Sequence, residues 1–133
     1  GDILARRARA RGAAGVVTDG GVRDSAAVAG ILPVFAAGRH PAVLGRKHVP
    51  WDTDVTIACG GATVQPGDVI VGDDDGVVVI PRALVEEVVD AALAQEEEDA
   101  WIAEQVAAGE PVDGLFPMNA TWRARYEQQR GKA

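Results

Sequence analysis

The chain has 133 residues, 47% of them hydrophobic and 25% charged, which suits one soluble, globular domain with a real core. A formal net charge of −7 argues against a general nucleic-acid binder, because phosphate contacts need clustered Lys and Arg. No apolar run reaches membrane-spanning length, no signal-peptide pattern is legible, and the single Cys59 excludes an internal disulfide and fits a reducing, cytoplasmic setting.

Asp2 reads as the N-cap of a helix over Ile3 to Arg11, which Gly12 stops. Four arginines, Arg6, Arg7, Arg9 and Arg11, lie toward its C-terminal end, where the helix dipole favours cations. The sequence opens at Gly1 directly on this helix, which points to a domain whose N-terminal part lies outside it. Gly15 to Thr18 is a short β-branched run and reads as a buried strand, followed by a turn at Asp19-Gly20-Gly21. Val22-Arg23-Asp24 and an Ala-rich piece, Ser25 to Ala29, lead to a second strand over Leu32 to Ala36.

Gly38 to Trp51 reads as a basic loop. Asp54 to Ala58 and Ala62 to Val64 flank Gly60-Gly61 as a hairpin, and Val69 to Val71 and Val77 to Ile80 flank the Asp73-Asp74-Asp75-Gly76 turn. A mostly antiparallel β layer therefore follows the α/β start. Pro81 opens a helix whose Leu84, Val85, Val88, Val89, Ala92 and Leu93 form one apolar face, ended by Gly109 and Pro111. The tail, Leu115 to Lys132, carries Phe116, Trp122 and Tyr126 in a polar setting. The expected division is a domain over 1–109 and a tail over 110–133 that packs on the domain or on a neighbouring subunit.

The first elements place chemistry together. A helix preceding a parallel strand starts at that strand's carboxyl edge, so Asp2 and the Arg23-Asp24 pair meet at one sheet edge, where ligands bind in α/β folds. The free amides of Ile3 and Leu4 point there too and form an anion site. Asp24 offers oxygen to a divalent metal, Asp2 can orient a water, and Arg23 can grip an oxyanion or enolate. Together these suit a 2-oxo acid with Mg²⁺ or Mn²⁺. Taken singly, Asp2 reads as a helix cap and Arg23-Asp24 as an exposed ion pair; their convergence is what favours a site.

The same residues carry a family resemblance. Asp2, twenty residues, then Arg23-Asp24 reproduces a D-x20-R-D signature, inside Gly1-Asp2-Ile3-Leu4-Ala5 and Gly15-Val16-Val17-Thr18-Asp19-Gly20-Gly21-Val22-Arg23-Asp24. Downstream, Gly60-Gly61, Pro66-Gly67-Asp68 and Asp75 to Pro81 fit the same pattern. Over residues 1 to about 100 the chain resembles RraA-like class II pyruvate aldolases. The resemblance implies a three-layer β/β/α sandwich, with phosphohistidine-domain-like architecture, assembled as homotrimers or homohexamers. It implies metal-dependent cleavage of a 4-hydroxy-2-oxo acid such as 4-hydroxy-4-methyl-2-oxoglutarate to pyruvate, with oxaloacetate decarboxylation as a related activity. Asp24 would be the metal ligand and Arg23 would contact the pyruvate oxygen. Asp2 would act through metal-bound water, and the amides of Ile3 and Leu4 would hold the carboxylate. A neighbouring subunit would add an acidic residue, for which Glu96, Glu97 and Glu98 are candidates.

Other residues read more plainly. His40 and His48, beside Arg39, Arg46 and Lys47, could bind a substrate's distal carboxylate or move protons, but a solvated loop is the favoured reading. The Asp73 to Asp75 run is a turn without calcium-loop spacing, and Cys59 a small buried residue. Trp101, Phe116, Trp122 and Tyr126 are expected in a subunit contact. The rival to an enzyme is a non-catalytic RraA-type binding regulator of a ribonuclease. A phosphohistidine swivelling domain ranks last, because no histidine lies near Arg23 in sequence.

Overall fold

The computed structural model describes residues 1–46 and 48–130; Lys47 and Lys132, named above, lie outside them. The described chain divides into two compact units, Gly1–Ala83 and Leu84–Ala133, so the expected boundary at 109/110 falls inside the second.

The first unit opens with α1 (Asp2–Ala10), then β1 (Val16–Val22), α2 (Ser25–Ala29) and β2 (Val34–Arg39). β1 and β2 pair in parallel, with Val16 opposite Val34 and Val22 opposite Arg39. Both strands outrun their sequence reading. Asp19-Gly20-Gly21 is not a turn: β1 continues through it with one extra residue between Thr18 and Gly21, a bulge. The Gly20 amide turns aside there to the Thr18 hydroxyl, at 3.0 Å. β2 begins only after Pro33, which has no N–H to give a ladder, and runs through Gly38 to Arg39. Ala5, Val28, Ile31 and Leu32 form the core beneath, with Val16, Val22 and Val34 packed against it.

Two antiparallel hairpins follow a short 3₁₀ turn at Leu44–Arg46: β3 (Ile57–Cys59) with β4 (Ala62–Val64), and β5 (Val69–Gly72) with β6 (Val77–Ile80). Gly60 and Gly61 both have positive φ, 59° and 84°, as a tight two-residue hairpin turn requires. Two contacts tie the hairpins to the parallel pair. The Gly60 amide donates to the Asp19 carboxylate at 3.2 Å. The Phe35 ring lies over Gly72 so closely that a Cβ there would come within 2.7 Å of it. The Asp73 carboxylate accepts from the amides of Asp75 and Gly76, as a turn and not a calcium loop demands. Cys59 is half-buried.

The second unit is a helical hairpin, α3 (Val85–Ala107) and α4 (Ala120–Arg130). α3 ends in a Schellman cap: Gly109, at φ 97°, bonds Val106 and the Glu110 amide reaches Gln105. Ile102, Leu115 and Trp122 form its core, with Trp101 and Met118 against it, and Tyr126 is buried as well. Trp101 meets Trp122 edge-on at 6.2 Å, and Arg125 lies 4.3 Å from the Trp122 ring. These aromatics were expected in a subunit contact. Within this unit Trp122 and Tyr126 are buried and Trp101 is half-buried, while Phe116 stays well exposed. The apolar face of α3 is open, with Leu84, Val88, Val89 and Leu93 all exposed. No helix among the described residues is long and apolar enough to cross a membrane.

Candidate functional site at the carboxyl edge of β1 and β2

Gly1, not Asp2, is the N-cap of α1; Asp2 is the first helical residue. Its carboxylate makes no cap bond and reaches Arg6 one turn on, at 3.7 Å, a pairing natural for an acid and a base four apart. The first intrahelical bond is Ala5 N–H to Gly1 C=O, so the amides of Asp2, Ile3 and Leu4 have no acceptor within the helix. The Ile3 and Leu4 side chains are exposed around them.

This helix start abuts the Arg23-Asp24 pair. A Cβ on Gly1 would come within 2.8 Å of Asp24 Oδ2 and 3.1 Å of Arg23 Nη2, so the backbone approaches both side chains closely. Arg23 Nε donates to Asp24 Oδ2 at 3.1 Å, and both side chains keep over two-fifths of their surface in solvent. Asp24 adopts the left-handed region, φ 57° and ψ 37°, which is costly for any residue with a side chain. It precedes α2 as that helix's N-cap, yet its carboxylate makes no cap bond and turns to Arg23 instead. The five positions singled out from sequence are thus on one edge: Asp2, Ile3 and Leu4 at the head of α1, Arg23 and Asp24 just past β1.

The edge also gathers a residue that sequence reasoning left in a solvated loop. Because β2 runs on to Arg39, opposite Val22, His40 follows at the same strand end as Arg23, and its amide donates to Val22 C=O at 3.1 Å. His40 is exposed, as the loop reading had it, but a parallel ladder carries it to the site. The sequence signal for this is weak: Val34 to Arg39 alternates poorly, so a strand read from pattern stops at Ala36, three residues short. Arg46 lies in the 3₁₀ turn, and the His48 amide bonds Leu44 C=O behind it.

Of the three glutamates considered for a neighbouring site, two are engaged within the second unit. Arg123 forks onto Glu98, with its Nη2 at 2.8 Å, and Arg130 holds Glu97 at 2.6 Å. The bond from Glu98 pushes the Arg123 pKa further up, against a smaller opposing effect of burial. A cleft of about 420 Å³ beside α1 is lined by Arg6, Arg9 and Ile31; it sits by the C-terminal ends of α1 and α2, not at the candidate edge.

Among the described residues no three His, Cys, Asp or Glu side chains converge as a metal cage. What the edge does offer is carboxylate oxygen, from Asp24 with Asp2 at the adjoining helix start, in open solvent. That donor set is a poor match for zinc, whose sites are built mainly on His nitrogen and Cys sulfur. It fits Mg²⁺ or Mn²⁺, hard cations that keep several waters and take one or two protein carboxylates.

Residues 1–79, which contain this whole edge, match the family described as RraA-like, Aldolase/RraA, and the chain belongs to that family. Two bacterial relatives carry the name "Putative 4-hydroxy-4-methyl-2-oxoglutarate aldolase". The one from Halalkalibacterium halodurans is 39% identical over 74% of this chain and 47% of its own length. The one from Alkalilimnicola ehrlichii is 44% identical over 65% and 53%. Among solved structures, an uncharacterized protein from Pseudomonas syringae pv. tomato superposes with a TM-score of 0.83 at 33% identity, covering 90% of this chain and 56% of that one. Streptomyces coelicolor RraAS2, described as an unusual member of the RNase ES inhibitor RraA protein family, gives 0.73 at 36%, over 78% and 54%. The mixed α/β fold is therefore that of RraA-like proteins. The chain spans about half the length of the relatives it matches.

Proposed function

We propose that this chain carries the metal- and pyruvate-binding part of a class II pyruvate aldolase, cleaving a 4-hydroxy-2-oxo acid of the 4-hydroxy-4-methyl-2-oxoglutarate type and decarboxylating oxaloacetate as a related reaction. The observation that carries this reading is the close approach of the α1 start to the Arg23-Asp24 pair, with Asp24 held in a strained backbone. Asp24, helped by Asp2, would hold Mg²⁺ or Mn²⁺. When bound, such a cation supplies Lewis-acid polarisation of the substrate's 2-oxo group. The unpaired amides of Ile3 and Leu4 hold the substrate carboxylate at the positive end of α1. Arg23 donates to the 2-oxo oxygen, where negative charge develops as the carbon–carbon bond breaks. Asp2 accepts a hydrogen bond from water at its carboxylate and orients it for proton transfer.

The family's sandwich layering and a homotrimeric or homohexameric assembly belong to the same reading, as does residence in the cytoplasm. The open apolar face of α3 supports an assembly. In it, Glu96 is the member of the 96–98 run left to serve a neighbouring site, since Glu97 and Glu98 are paired at home.

The name of the Streptomyces relative favours a second reading, a non-catalytic regulator that binds a ribonuclease. Incubation with Mg²⁺ and a 4-hydroxy-2-oxo acid or oxaloacetate, followed by a pyruvate assay, separates the two. Pyruvate release that EDTA and Asp24→Ala both abolish is expected. A stable protein that releases none from a broad panel of such acids would favour the regulator.

A further inference from the structure

From the position of His40 we infer a second recognition point at this edge: its Nε2–H receives a carboxylate at the end of the substrate remote from the 2-oxo acid group. The inference rests on the lyase reading for its substrate class and on separate observations for the residue. The ladder ends with Val22 opposite Arg39, and the His40 amide is bonded to Val22 C=O at 3.1 Å, so His40 leaves β2 at the strand end from which Arg23 leaves β1. The helix start of α1 approaches Arg23-Asp24 through Gly1, whereas His40 arrives on the neighbouring strand β2. A substrate whose 2-oxo acid end occupies the α1 amides and Arg23 has its remaining length available to reach toward β2.

Two contacts prepare the imidazole. Gly21 leaves it room: a Cβ there would lie 2.6 Å from His40 Cβ, so any other residue would have to displace the histidine or the strand. The Ala42 amide donates to His40 Nδ1 at 3.1 Å. A ring nitrogen accepts only when it carries no proton, so the neutral ring bears its proton on Nε2. Nε2 makes no hydrogen bond among the described residues and the side chain is exposed. A fixed donor at the same strand end as Arg23 asks for an acceptor, and a carboxylate, which only accepts, is the group best matched to it.

The test compares two 4-hydroxy-2-oxo acids, one ending in a carboxylate beyond the scissile bond and one ending there in a methyl group. For His40→Ala the preference for the first, as a ratio of kcat/KM, should fall about tenfold, mostly through KM. His40→Gln, which keeps a side-chain N–H, should restore part of it. An unchanged ratio overturns the inference. A second measurement stands apart from turnover: long-range proton–nitrogen NMR of the wild-type protein at mildly alkaline pH. It should find the His40 proton on Nε2, and that signal should move with 2-oxoglutarate and not with pyruvate. The opposite tautomer, or equal response to both acids, sinks the role of His40. Absence of turnover with both substrates, alongside a selective shift, sinks the lyase reading and leaves the histidine's role standing.

Discussion

Asp24 combines two properties that rarely serve stability alone: a left-handed backbone and a carboxylate that caps nothing. An aspartate tolerates this conformation better than most residues, and a glycine tolerates it best. Asp24→Gly should therefore leave the unfolding free energy within about 1 kcal/mol of wild type while turnover disappears. Asp24→Val, β-branched where φ is positive, should cost about 1–3 kcal/mol besides. Arg23→Ala belongs with the first kind. Its guanidinium is well exposed, so stability should fall by less than about 1 kcal/mol. Loss of a donor at the developing charge should lower kcat by a factor of about 10² to 10³. Urea titrations beside steady-state kinetics check all three; a variant whose turnover falls only as far as its folded fraction does would argue for a structural role.

Elements explain why those side chains meet. β1 is lengthened by its bulge, so Val22 ends level with Arg39, and Arg23 and His40 leave the two strands together. α1 returns along β1 on the core of Ala5, Val28, Ile31 and Leu32, which brings its unpaired amides back to the same edge. The α3–α4 hairpin has a separate core and its own ion pairs. Trp122 is buried there against Trp101, with Arg125 over its ring. Trp122→Ala should cost that hairpin about 3–5 kcal/mol. Hydrogen exchange should show the amides of α3 and α4 losing protection while those of β1 and β2 keep theirs. Loss of protection in all four together would mean that the two units fold as one.

Charge is divided unevenly over the whole molecule. Residues 1–83 carry nine Asp and Glu against nine Arg and Lys, whereas residues 84–133 carry eleven against four, so the entire −7 lies in the second unit. The net charge thus says little against an anionic substrate at an edge built from the first. The open face of α3 belongs at this level too. If Leu84, Val88, Val89 and Leu93 line a contact between copies, Leu93→Glu should split the assembly into monomers in light scattering, because a charge would be buried unpaired. A monomeric wild-type protein, or an assembly indifferent to the change, would point to another cover for this face.

The local elements were legible because their signals are local. Gly60-Gly61, Pro66-Gly67-Asp68 and Asp73 to Gly76 announce their turns through backbone freedom and side-chain acceptors, and the apolar spacing of α3 announces a helix. The D-x20-R-D spacing was legible for a related reason, since one helix and one parallel strand suffice to close it. What stayed hidden depended on partners distant in sequence. A bulge has no meaning until a second strand sets the register, so Asp19-Gly20-Gly21 passed for a turn and His40 for loop. The aromatics of α3 and α4 were known to need burial, but a hydrophobic residue does not specify which surface will bury it; that choice was made only when α4 folded onto its own chain.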